Sequence, residues 1–180
     1  MWTFLFFIII VFAILSVLNK SEAIGNWSHL FPDMQHDPEE FYKLVEEVLQ
    51  ERKVPDVRTG RRTFKQGGFF SNQRIYLAVF RGDYIFHICA APWGTGFFFS
   101  SWVRKSENNI EDLLVKLPFI GKIIAKAIQY ETYYKLDTDA MFRTSVHQSI
   151  LAAIDRLTET KGIRGLTELE RKPDLRTSFN

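Results

Sequence analysis

The first eighteen residues, "MWTFLFFIIIVFAILSVL", hold 16 apolar side chains and no charge. As a helix at ~1.5 Å per residue such a stretch is about 27 Å long, enough to cross a hydrocarbon core. We expect a transmembrane anchor over residues 1–18, a single pass whose partner is membrane lipid. A cleaved secretory signal is the alternative, because Ser21-Glu22-Ala23 puts small residues at the −3 and −1 positions of a signal-peptidase site. Against cleavage, no basic residue precedes the run, and the run exceeds the ~7–15 residues of an ordinary h-region. Lys20 directly follows it, so the positive-inside bias places the body in the cytoplasm. In a secreted protein Asn26-Trp27-Ser28 would instead be a glycosylation acceptor.

Beyond residue 18 the composition is that of an ordinary soluble domain, about 41% apolar and about 27% charged. A body of this length buries a core without metal or disulfide support. Cys89 is the single cysteine, so no intrachain disulfide forms. The net charge of +2 does not call for a nucleic-acid partner.

Residues 19–36 read as a connector in which Trp27, His29 and Phe31 either sit at the headgroups or pack on the domain. "DPEEFYKLVEEVLQERK" predicts a helix over 38–52. Asp37 caps it, Pro38 takes the first position, and Glu40 stands where a capping box puts its carboxylate. Phe41, Leu44, Val45, Val48 and Leu49 form its apolar stripe. Strands follow from Val57 to Arg104, with Gly82-Asp83 as a two-residue hairpin loop. Two helical segments are expected over 110–117 and 118–129, divided by Pro118. Residues 130–137 alternate like a strand, and Asp137, Thr138 or Asp139 then caps a long helix to about 160, stopped by Gly162. The expected architecture is α+β: an antiparallel sheet of four to five strands, packed by two to three amphipathic helices, after one N-terminal transmembrane helix. Its parts are an anchor (1–18), a connector (19–36), an α+β domain (37–162) and a charged C-terminal tail (163–180).

Motifs for chemistry are sparse. Gly94-Thr95-Gly96 lacks the following helix, the Lys-Ser/Thr pair and the third glycine of a phosphate loop, and reads as a turn between strands. Arg81-Gly82-Asp83 matches a triplet that adhesion receptors read, but Gly-Asp is also what a tight hairpin needs. His87 and Cys89 share one face of a strand, so a thiolate–imidazole pair is conceivable, beside the plainer reading of a small buried cysteine. Asp137 and Asp139 suit acid–base or cation chemistry, and equally suit helix capping. These four are the first suspects for a small enzyme whose site assembles from dispersed residues; no catalytic residue is assigned, and no cofactor or metal set is found.

Basic residues concentrate in Arg52, Lys53, Arg58, Arg61, Arg62 and Lys65, either against anionic headgroups or guarding a sheet edge. "KLPFIGKIIAKAIQ" has the pattern of an interfacial helix and equally of one packed on a sheet. The consecutive rings of Phe97-Phe98-Phe99 reach both sheet faces, so either both faces are covered or one ring cluster awaits a partner. The expectation is a membrane-anchored, non-catalytic binding or scaffolding module acting at the membrane surface, with a protein partner as well as lipid. Alternatives are the small enzyme and a secreted or periplasmic domain released by signal cleavage.

Overall fold

The computed structural model describes residues 21–65, 67, 72–106 and 133–175. The anchor expected over 1–18 and the helices expected over 110–117 and 118–129 lie outside the described residues. Among the described residues no helix is long and apolar enough to cross a membrane.

The domain is α+β. Strands β1 (Ser21–Phe31), β2 (Arg58–Lys65), β3 (Gln73–Arg81), β4 (Tyr84–Trp93) and β5 (Gly96–Ser106) form an antiparallel sheet, extended by the two-residue β6 (Asp174–Leu175). Their order is β2-β3-β4-β5-β1-β6. Helices α1 (Pro38–Glu51) and α2 (Tyr133–Lys161) bury their apolar sides against the sheet face made by Leu77, Val79, Phe86, Ile88, Phe97, Phe99 and Val103.

Local chemistry explains α1. The Asp37 side chain accepts from the Glu39 backbone N–H at 3.0 Å, and Pro38 follows at the first turn. Glu40 reaches back towards His36, at 3.7 Å, so the cap is Asp37 alone and not a closed box. The β3–β4 and β4–β5 loops are tight: Gly82 (φ 54°) and Gly94 (φ 61°) adopt the left-handed backbone that a Cβ disfavours. Gly162 (φ 64°) ends α2 in the same way.

Three expectations are corrected. The connector is not a connector beyond residue 20. Ser21–Phe31 forms β1, which makes ten pairings with β5 and lies inside the sheet, and Trp27 and Phe31 are buried beneath the helices. Residues 133–137 are helical, not a strand, and Asp137 and Asp139 stand within α2 and do not cap it. Tyr133, Tyr134 and Leu136 are exposed, so their alternation serves no sheet face, and each further turn of an existing helix costs little. The expected tail is docked over residues 163–173. Leu166 is buried, the Trp27 indole N–H donates to the Glu170 carbonyl at 2.6 Å, and Arg171 forks onto Asp155 at 2.6 and 3.0 Å.

One tyrosine closes a gap in the sheet. The β3–β4 register runs from Arg81–Tyr84 to Leu77–Ile88. Beyond it, the Tyr42 hydroxyl on α1 donates to the Ile75 carbonyl at 2.8 Å and accepts from the Ala90 N–H at 3.0 Å. Tyr42→Phe strands a buried backbone donor, which costs about 1–3 kcal/mol. We expect urea unfolding to show that loss with an unchanged slope; a variant as stable as the parent would contradict the bridging role.

Candidate functional site

Because side chains alternate along a strand, the face opposite the helices is fixed by register. Arg58, Phe80, Ile85 and Arg104 make its first row, and Gly60, Ala78, His87 and Trp102 its second. Arg62 with Tyr76, and Cys89 with Ser100, continue it; Phe64 with Arg74, and Ala91 with Phe98, complete it. On β1, Ala23, Asn26, Ser28 and Leu30 extend the same rows. Four arginines and five carbon rings stand on this face, and none of its positions is acidic. Neither α1 nor α2 covers it.

The rings are arranged, not scattered. Phe64 meets Tyr76 edge-on at 5.2 Å and His87 edge-on at 5.0 Å, and the Arg62 guanidinium lies 5.6 Å from the Phe80 centroid. Small residues fill the space beneath: Ala78, Cys89, Ala91 and Ser100 are buried although they face away from the helices. Phe64 and Trp102 remain open, at 43% and 39% exposure, with Leu30 and Trp93 towards the far end of the strands.

His87 and Cys89 both point to this face, as their spacing required. Burial, then the Arg104 and Arg62 charges, holds the His87 imidazole below its usual value. Burial pushes the Cys89 thiol up, although Arg74 donates to its sulfur at 3.9 Å and opposes the shift. A neutral thiol beside a neutral imidazole, with no hydrogen bond between them, is not an activated nucleophile. Asp137 and Asp139 lie on α2, across the sheet, so the structure does not bring the four suspects together. Among the described residues no three His, Cys, Asp or Glu side chains cluster as a metal site.

The basic run divides by strand parity. Arg61 turns to the helix side, where its guanidinium spans Glu39 (2.6–3.1 Å) and Glu46 (3.0 Å) and covers the Tyr42 ring at 5.3 Å. Arg58 and Arg62 turn outward. Of the triple phenylalanine, Phe97 and Phe99 are core and Phe98 joins the open face. Sequence reasoning missed the face as a whole, although the alternation within β2–β5 carried the signal.

All four histidines, His29, His36, His87 and His147, sit below the usual imidazole value, chiefly through burial. An unfolded histidine titrates near 6.5. Their contribution is therefore complete above about pH 6.5 and falls as pH drops below it, because the unfolded chain takes up protons that the folded one resists. We expect the urea midpoint to decline between about pH 7 and pH 5, before carboxylates titrate. His147→Gln should flatten part of that slope; a midpoint that rises on acidification would refute the sign.

Comparison with protein-family models, with curated proteins and with solved structures finds no match for this chain.

Proposed function

We propose that this protein is a membrane-anchored, non-catalytic binding module whose open sheet face takes an acidic protein partner at the membrane surface. The observation that carries this reading is the composition of that face: four arginines among five rings, of which Phe64 and Trp102 are exposed, with no carboxylate at its register positions. Arginine and aromatic side chains are the residue types that dominate binding hot spots, and here they surround a floor of small residues. Like charge on the same patch disfavours a second copy of the chain, because arginines would meet arginines.

A protein partner fits better than headgroups for a geometric reason. Only Asn19 and Lys20 separate the apolar run from β1. If residues 1–18 span the bilayer, β1 starts at the headgroups, and its eleven residues reach about 33 Å away at ~3.3 Å each. Only the row nearest Ala23 then stays beside lipid. The anchor, the cytoplasmic side and the scaffolding role belong to this same proposal.

The test uses the full chain in its native membrane, with a photo-crosslinking residue at Trp102 and, as control, at Leu169, which is exposed on the tail. We expect one protein adduct from position 102, none from 169, and contact peptides rich in Asp and Glu. Arg62→Glu with Arg104→Glu should weaken that adduct at least about tenfold while leaving the fold intact. Equal adducts from both positions, insensitivity to charge reversal, or adducts to anionic lipid alone would each overturn the reading.

A further inference from the structure

Across the sheet from that face, a cavity of about 290 Å³ opens under the first half of α2. It lies at the small end of ligand sites, which run from roughly 300 to 1,000 Å³. Phe86 and Val103 supply apolar walls, and Gly25 leaves room where β1 shifts register against β5. Arg143, Thr144 and His147 line the helix side. His147 is held in place, since its Nε2–H donates to the Arg171 carbonyl at 2.8 Å and its ring meets Trp27 edge-on at 6.1 Å.

Arg143 is the unusual member. Its Nε is buried with no hydrogen-bond partner, and among the described residues its guanidinium forms no ion pair, only a contact with the Tyr84 ring at 5.9 Å. The residue is half-buried, and a buried guanidinium N–H such as this Nε–H is seldom left without an acceptor. Asp139, one turn earlier, does not answer it; its own Oδ2 is buried without a donor, and it does not line the cavity. Among the described residues no carboxylate lines the cavity.

We propose that this cavity binds a small monocarboxylate with an apolar body, the carboxylate on Arg143 and the body against Phe86 and Val103. One guanidinium matches one carboxylate in a two-point hydrogen bond, whereas a phosphate dianion would call for further cations. The proposal is independent of the open face, because Arg143, Phe86 and Val103 all lie across the sheet from it.

The test places the full chain in nanodiscs of zwitterionic lipid, with empty nanodiscs as blank, and follows 3-phenylpropionate by equilibrium dialysis. The matched probes are 3-phenylpropanol and 3-phenylpropylamine. We expect saturable binding of the acid, weaker binding of the alcohol and none of the amine. Arg143→Gln should lower affinity for the acid at least about tenfold and leave the alcohol unchanged, as loss of a charge-assisted pair demands. Ala140→Trp, at an exposed position on the cavity's rim, should exclude both while α2 stays folded by circular dichroism. Arg62→Glu with Arg104→Glu should leave acid binding intact, separating this site from the open face. Absence of saturable binding, or equal affinity for acid and alcohol in both the parent and Arg143→Gln, would overturn the proposal.

Discussion

The hydroxyl of Tyr42 stands where the ladder between β3 and β4 runs out, and the rest of the domain is arranged around it. Beyond Leu77–Ile88 the Ile75 carbonyl and the Ala90 amide are joined through the tyrosine instead of to each other. The phenol itself is buried, and that burial raises its pKa far above the usual range. The hydroxyl therefore stays protonated and both donates and accepts, as the two backbone groups require. It also fixes α1 against the sheet in one register. Arg61 on the edge strand then closes over the same ring and grips Glu39 and Glu46, while Glu51 holds Arg156 on α2. A single helix side chain thus touches β2, β3 and β4 together.

With α1 and α2 on one side, the described side chains of the sheet's other side pack on one another. Ala78, Cys89 and Ser100 are buried there, and Phe64 meets both Tyr76 and His87 edge-on over the same face. Rings carry few rotatable bonds, so a surface built this way loses little entropy when a partner settles on it. The same packing explains why His87 and Cys89 are quiet. Desolvation under the rings favours the neutral form of each, and the nearby arginines depress the imidazole further.

Local signals in the sequence were legible and non-local ones were not. Asp37-Pro38 wrote the start of α1, and Gly82-Asp83 and Gly94 wrote the hairpins, because each acts within four residues. β1 was misread because "SEAIGNWSHLF" carries Gly, Asn and two Ser in place of a β-branched run; its strand state comes from pairing with β5, some seventy-five residues on. The start of α2 was misread for the opposite reason, since Tyr134 and Leu136 alternate as one strand face would, yet stand exposed on a helix. The docked tail depends on the carbonyls of Glu170 and Arg171 meeting Trp27 and His147, a contact that no sequence pattern announces. For the candidate face, strand parity sorted Arg61 from Arg58 and Arg62, yet parity needs strand bounds that only the structure supplied.

The position of β1 ties the fold to the proposed anchor. A tether attached to an edge strand could pull that strand away alone. Here the apolar run leads, after two residues, into a strand held by ten pairings to β5 on one side and by β6 on the other. The residues that carry those pairings also carry Trp27 and Phe31, which sit in the core against His147 and Phe99. The segment that follows the apolar run is therefore tied to β5 and to the α2 interface together. Ile24, unpaired between Ala23 and Gly25, is the one irregularity in the β1–β5 register, where a bulge leaves local pairing incomplete. Gly25 lines the cavity beneath α2, so this bulge and the unsatisfied Nε of Arg143 share one small volume of the protein.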